Sequence, residues 1–173
     1  LSGKGVVGGN VIISSGATLR PGISPTSILG ALYLKGKDIT INRGATLLFC
    51  AKTASLYTRI KDVGTLQIKG TLVVNVTDDA SFDIGDEITL WDAEELVLGK
   101  DVTYQLATPG EGLAWDTSKI TKGILTIISD ATSITAPRQS ESGHTFYDLS
   151  GKKVHEPFRG ITISKKKKIL KTF

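Results

Sequence analysis

Apolar and polar residues alternate in short bursts along most of this chain. In VIISSGATL (residues 11–19) and DITINRGATL (38–47) the apolar side chains fall at every second position. That spacing buries one face of an extended strand and leaves the other in water. From Gly9 to Gly44 glycines interrupt the runs every 6 to 8 residues, so strands there are expected to be short and to close in sharp turns. Helical periodicity is weak throughout. WDAEELVLGK at 91–100 is the best helical stretch, expected to give a turn or two of helix ending at Gly99.

The bursts repeat. GATL occurs twice, with Gly16 and Gly44 separated by 28 positions, and Val11, Ile13 and Leu19 match Ile39, Ile41 and Leu47 at the same offset. A third copy, LQIKGTLVVNV, carries Leu66, Ile68, Gly70, Thr71 and Leu72, with Thr71 lying 25 positions after Thr46. Half-repeats ILGALYLKG (28–36) and VGTLQIKG (63–70) fall between them. Self-similarity at such a period marks a solenoid, in which each unit buries its apolar face against the next. The expected fold is all-β: a right-handed parallel β-helix over residues 1–129, then a linker over 130–143 and a small C-terminal β module over 144–173. In this reading Gly takes the corner of each coil, Ala fits the bend and Leu turns back into the core. A β-sandwich also has short strands and frequent turns, but it does not require repetition at a constant offset.

Composition supports strands over helices. Nineteen glycines accompany abundant Thr, Ile, Val and Leu, and apolar residues make up 40% of the 173-residue chain. Cys50 is the only cysteine, so no internal disulfide forms, and its apolar flank reads as a buried thiol. Methionine is absent and the chain opens at Leu1, as expected of a piece of a longer protein. No apolar run is long enough to span a membrane. The net charge of +4 is unevenly spread: residues 1–137 hold 12 Lys and Arg against 14 Asp and Glu, residues 138–173 hold 9 against 3. The tail SKKKKILKTF lacks the interleaved aromatics that stack on bases, so a nucleic-acid partner is not expected.

Two segments resemble known families. GLAWDTSKITKGILTII at 112–128 resembles the closing segment of autotransporter-like β-helical proteins, and FDIGDEITLWDAEE at 82–95 resembles the stretch that precedes it there. HTFYDLSGKKVHEPFRGITISKKKKILK resembles the C-terminal module of secreted and surface proteins of gut Bacteroidota, through Tyr147, Asp148, Leu149, Gly151, Lys153, Val154, Pro157, Gly160, Ile161 and Ile163. Thr162 stands where that pattern has Tyr, and lysines replace its Asn-Gly turn. The module reads as three short strands, with turns at Ser150–Gly151 and near Pro157–Gly160. Taken together, solenoid and tail resemble the β-helical carbohydrate-binding modules attached to secreted xylanases of such bacteria. The resemblance implies a secreted or cell-surface, monomeric module that binds a xylan-type polysaccharide beside a covalently linked catalytic domain.

Catalytic signatures are sparse. Asp78-Asp79, Asp83, Asp86-Glu87 and Glu94-Glu95 are the acidic candidates, and adjacent carboxylates on a strand point to opposite faces. Only His144 and His155 are present, so no Ser-His-Asp arrangement or zinc spacing emerges. No metal or cofactor is called for, and the chain is read as a non-enzyme. Binding a polysaccharide needs an aromatic face for the sugar ring and polar groups for its hydroxyls. In SLYTRIKD (55–62), inward Leu56, Thr58 and Ile60 turn Tyr57, Arg59 and Lys61 outward. Tyr33, between Leu32 and Leu34, faces out on the coil below, in an expected ladder with Tyr57 and Arg59. With Ile88 and Leu90 inward, Trp91 faces out beside Asp92. The alternatives are a solvated strand face at 55–62 and a Trp91 that covers the end of the solenoid. Trp115 and Asp116 are read as structural, Phe49 as core, and Phe82, Tyr104, Phe146, Tyr147 and Phe158 as packing residues. A stalk that only spaces other domains, and a pectin lyase or hydrolase, are the competing functions.

Overall fold

The computed structural model describes residues 1–22 and 30–130 in full, and beyond them the backbone of four short strands. The chain divides into two compact units, Leu1–Ser133 and Ile134–Phe173. In the first, β1 (Ser2–Gly3), β2 (Gly5–Val6), β3 (Val11–Ile13) and β4 (Thr18–Pro21) make the first coil. The long β5 (Gly30–Ile41) and β6 (Thr46–Thr53) make the second, and β7 (Leu56–Ile68) and β8 (Thr71–Val76) the third. After β9 (Glu87–Thr89), β10 (Trp91–Leu98) and β11 (Thr103–Leu106) add a last rung. β12 (Leu113–Asp116), a 3-10 turn (Ile120–Lys122) and β13 (Ile124–Ser129) complete the unit.

Two parallel ladders build a β-helix of about 3 turns. One runs from β2 and β3 through β5 and β7 to β10, the other from β1 through β4, β6 and β8 to β11. The register is the one the repeats require. Val11, Ile39 and Leu66 stand over one another, as do Ile13, Ile41 and Ile68, and Leu19, Leu47 and Leu72. The repeat offset is therefore the length of a coil. These columns are buried, whereas Ile12, between Val11 and Ile13, is 67% exposed. Parallel pairing of equivalent strands in successive repeats excludes the sandwich.

The corners follow from local backbone chemistry. Gly16 and Gly44 are left-handed, with φ of 78° and 74°, a conformation that other residues enter at a cost. Gly70 is needed for a different reason: a Cβ there would sit 2.7 Å from the Asn42 carbonyl oxygen and closer still to that of Ala45. β5 and β7 bend within their length, where Lys35, Gly36 and Asp62 are left-handed and the register slips. Backbone amides freed there are met by side chains: Thr65 N donates to Asp38 Oδ1 at 2.8 Å, and Asp38 N donates to Asn10 Oδ1 at 3.1 Å.

The last rung departs from the sequence expectations in two places. WDAEELVLGK is not helical; it forms β10, with Glu95 to Leu98 paired to Thr65 to Ile68. An exposed row of amides and carbonyls on β7 outweighs the helix propensity of a short Ala-Glu-Glu-Leu segment. Tyr104 is not packed but 41% exposed. It continues the Leu72 column, yet no further coil of the stack covers it.

The other end of this rung is closed by an antiparallel sheet, β12-β13-β9. Ile88, Leu90, Ile120, Leu125 and Ile127 are buried in it, so the GLAWDTSKITKGILTII segment forms a cap on the solenoid. Trp115 is structural, as expected: its indole N–H donates to the Ala107 carbonyl at 2.7 Å and its ring meets Phe82 edge-on at 5.5 Å. Asp116 braces the following turn by accepting from the backbone and hydroxyl of Ser118, both at 2.8 Å. Phe49 is core and Cys50 is buried; burial pushes its thiol pKa up, with Arg20 pulling weakly the other way. The one buried polar side chain of the described core, Thr58, is satisfied by the Cys50 amide at 2.9 Å.

The second unit holds a four-stranded antiparallel sheet of β14 (Phe146–Tyr147), β15 (Lys153–Val154), β16 (Thr162–Ser164) and β17 (Lys167–Ile169), in the order β15-β14-β16-β17. The sequence led us to expect three strands; the fourth arises within the lysine run. Of the linker expected over 130–143, residues 131–143 lie outside the described residues, as do both histidines and Phe158. Among the described residues no helix is long and apolar enough to cross a membrane.

The two corner mechanisms separate on substitution. Gly16 has open space around it, so Gly16→Ala is expected to cost only the left-handed penalty, about 1–2 kcal/mol. Gly70→Ala drives a methyl into backbone carbonyls that cannot swing aside, and is expected to cost more, about 3 kcal/mol. Urea midpoints for the two variants check the order; equal losses would contradict the stacked corner.

Candidate functional site

The outer face of β7 behaves as its alternation requires. Thr58 and Ile60 are 1% and 0% exposed, while Tyr57, Arg59 and Lys61 are turned outward and half-buried. The Arg59 guanidinium lies over the Tyr57 ring, 5.7 Å from its centre. That contact is an attraction between a cation and the ring's negative face, and it orders both side chains.

Trp91 is a correction. It does not face outward; it is 2% exposed. Leu90 stands between β9 and β10, outside either strand, and both Leu90 and Trp91 point inward. The alternation is broken by one residue there because the chain leaves the antiparallel cap and joins the parallel ladder. Leu90 N donates to the Gly123 carbonyl at 2.7 Å, and Ile60 N donates to the Leu90 carbonyl at 2.9 Å. Trp91 thus stands over Ile60, which stands over Leu32, and its ring centre lies 6.2 Å from that of Phe49. Gly123 is pressed so closely on the indole that a Cβ there would lie 2.9 Å from Nε1. Trp91 covers the end of the solenoid, beneath the cap.

Tyr33 is a second correction. It is exposed and lies on the coil below β7, but its partner across the ladder is Lys61 rather than Tyr57. Arg59 stands over Ala31. Four residues of strand separate the positions of Tyr33 and Tyr57, about 13 Å along the rung, so the expected Tyr33, Tyr57 and Arg59 ladder is not formed.

The structure instead gathers the other five candidates into a cleft of about 500 Å³. β7 supplies Tyr57, Arg59, Ile60 and Lys61, β10 supplies Trp91, Asp92 and Ala93, and the cap supplies Thr89, Thr121 and Lys122. The cleft exists because the last rung does not extend along the whole of β7. β10 begins at Trp91, opposite Ile60, and the residues before it turn away into the cap sheet. The outer face of β7 is therefore left open opposite the 3-10 turn. Thr89, Thr121 and Lys122 were missed from the sequence. They lie outside the repeats, and nothing in their spacing ties them to β7.

The cleft combines aromatic surface, three cations, two threonine hydroxyls, the Tyr57 phenol and one carboxylate. Such a set can stack against the apolar face of a ring and hydrogen-bond its polar edges. Three of the acidic candidates for catalysis are engaged by other groups. Asp79 pairs with Lys52, Asp86 accepts from the Asp83 amide at 2.9 Å, and Glu87 pairs with Lys119. Among the described residues no group of three His, Cys, Asp or Glu side chains is placed to hold a metal ion. No protein-family model matches the chain, and no curated protein matches it in sequence.

The Glu87–Lys119 pair joins β9 to the segment leading into the 3-10 turn, and so ties the cap wall of the cleft. The Lys119 ammonium, followed by the Thr126 hydroxyl, lowers the Glu87 pKa. A carboxylate whose pKa is lower folded than unfolded contributes stability above its unfolded value, and that contribution is lost as pH falls through the folded one. Asp116 in the cap, held down by Ser118, and Asp79, held down by Lys52, act with the same sign. Acidification below the ordinary glutamate range, about pH 4.3, is expected to loosen the cap. The checking measurement is tryptophan fluorescence during an acid titration. Glu87→Gln is expected to shrink the acid-dependent change, leaving the Asp79 and Asp116 share; an unaltered titration would contradict the assignment.

Proposed function

We propose that the first unit is a non-catalytic carbohydrate-binding module whose ligand is a plant cell-wall polysaccharide of the xylan type. The observation that carries this reading is the convergence of Tyr57, Arg59, Lys61, Trp91 and Asp92 with cap hydroxyls in one cleft of about 500 Å³. That volume lies within the range of saccharide-sized ligand sites, roughly 300–1,000 Å³. Tyr57 supplies the aromatic face for the sugar ring. Arg59, Lys61, Asp92, Thr89 and Thr121 supply hydrogen-bonding partners for ring hydroxyls, and Trp91 supplies the rigid floor.

In this reading the module is secreted or cell-surface, and it holds a covalently linked hydrolase near its substrate. A tethered second site raises the effective concentration of the enzyme on the polymer without taking part in the chemistry. A single short site of this kind binds weakly, with Kd from about micromolar to millimolar. A cleft of mixed aromatic and polar character counts against a stalk that merely spaces domains, and the engagement of Asp79 by Lys52, of Asp86 by the Asp83 amide and of Glu87 by Lys119 counts against a lyase or hydrolase.

Affinity electrophoresis in gels containing xylan, mannan, glucan or pectin tests the reading. Retardation by xylan is expected, and Tyr57→Ala is expected to abolish it while leaving circular dichroism unchanged. Equal mobility in all four gels would remove the binding function. Release of reducing sugar from any of the polymers would replace it with an enzymatic one.

A further inference from the structure

Arg59, Lys61 and Lys122 line the same cleft, where Asp92 is the single carboxylate. Three other cations of the described surface sit against carboxylates: Arg43 with Asp101, Lys52 with Asp79, Lys119 with Glu87. Among the described residues, the side chains of the three cleft cations make no ion pair or hydrogen bond, although Asp92 lines the same cleft. This runs against the bulk charge of the region, since residues 1–137 carry more acidic than basic side chains. Three like charges facing one cavity repel one another, and a bound anion relieves that repulsion.

Arg59 also has the geometry of an anion receptor. Its guanidinium lies over the Tyr57 ring, 5.7 Å from the ring's centre, a cation–π contact that restrains the group. The five N–H donors lie in the guanidinium plane. With no ion pair or side-chain hydrogen bond engaging them among the described residues, they can take a carboxylate through two parallel hydrogen bonds. Lys61 lies two residues further along the same outward face, and Lys122 is on the cap wall of the same cleft.

We infer that the saccharide taken by this cleft carries a carboxylate: it is a uronic acid unit, held by Arg59 in bidentate fashion with Lys61 and Lys122 completing the charge balance. The inference rests on the carbohydrate-binding reading and deepens it, because it selects an acid-substituted polymer over its neutral counterpart.

Isothermal titration of the full chain with three probes tests it: a neutral xylo-oligosaccharide, one of equal length bearing a single glucuronate branch, and trigalacturonate. Short probes are used because the nine Lys and Arg of residues 138–173 attract any long polyanion. The glucuronate-bearing probe is expected to bind at least about tenfold tighter than the neutral one. Lys122→Gln is expected to remove most of that advantage while leaving the neutral probe's affinity unchanged; Arg59→Gln is expected to remove the advantage too and to weaken the neutral probe as well. Arg59→Lys keeps the charge and loses the fork, so it is expected to resemble Arg59→Gln. Lys122 is exposed on a turn, so its variant reads binding without a folding defect. Equal affinity for the two xylo-oligosaccharides would overturn the carboxylate inference and leave sugar binding standing. Binding of trigalacturonate alone would support the carboxylate and overturn the xylan backbone. No heat with any probe would overturn both.

Discussion

Everything in the first unit depends on parallel backbone hydrogen bonding held in one register over successive coils. A strand in the middle of such a stack has both edges satisfied, so the cost of leaving buried amides unpaired is met by the coils themselves. The same register aligns like with like. Because Val11, Ile39 and Leu66 stand in one column and Leu19, Leu47 and Leu72 in another, each coil closes the apolar face of the one before it. A slip of one residue would turn every one of these side chains into water, so the repeat offset and the hydrophobic alternation must agree.

A stack of this kind has two ends, and the ends are where it departs from its own rule. At the last rung the chain gives up the parallel ladder for an antiparallel cap, and the exchange takes place between Leu90 and Trp91. That one irregular step buries two consecutive large side chains, lays Trp91 between Phe49 and Gly123, and leaves part of the β7 face uncovered. The cleft is thus a consequence of how the solenoid is terminated. Its floor is rigid because it is the end of the core; its two walls belong to different kinds of sheet.

The character of that cleft comes from what is left unpaired. Most surface ion pairs are worth little to stability, and those at Lys52, Arg43 and Lys119 are no exception in kind. In the cleft, Arg59, Lys61 and Lys122 share a single lining carboxylate, that of Asp92, and among the described residues none of the three is ion-paired. The contact of Arg59 with the Tyr57 ring restrains an otherwise flexible cation.

The chain's own letters determined the coil. The two GATL segments and their shortened third copy specify which residues stack, because alternation with period two and repetition with a constant offset admit a single register. Gly16, Gly44 and Gly70 mark the corners for reasons of backbone conformation and close approach. The outward direction of Tyr57, Arg59 and Lys61 was legible for the same reason, being a matter of pleat alone. What only the tertiary structure decided is everything that breaks the pleat or crosses between sheets. Trp91 is inward because a hand-over between two sheets consumes one residue of alternation, and no local pattern announces that. Tyr33 falls under Lys61 because the bends at Lys35, Gly36 and Asp62 absorb unequal numbers of residues. Residues 91–98 are extended because β7 offers an open edge, and Lys122 reaches the cleft from a cap that shares no repeat with it. Local periodicity is written residue by residue; long-range closure depends on which edges remain unsatisfied once the coils have formed.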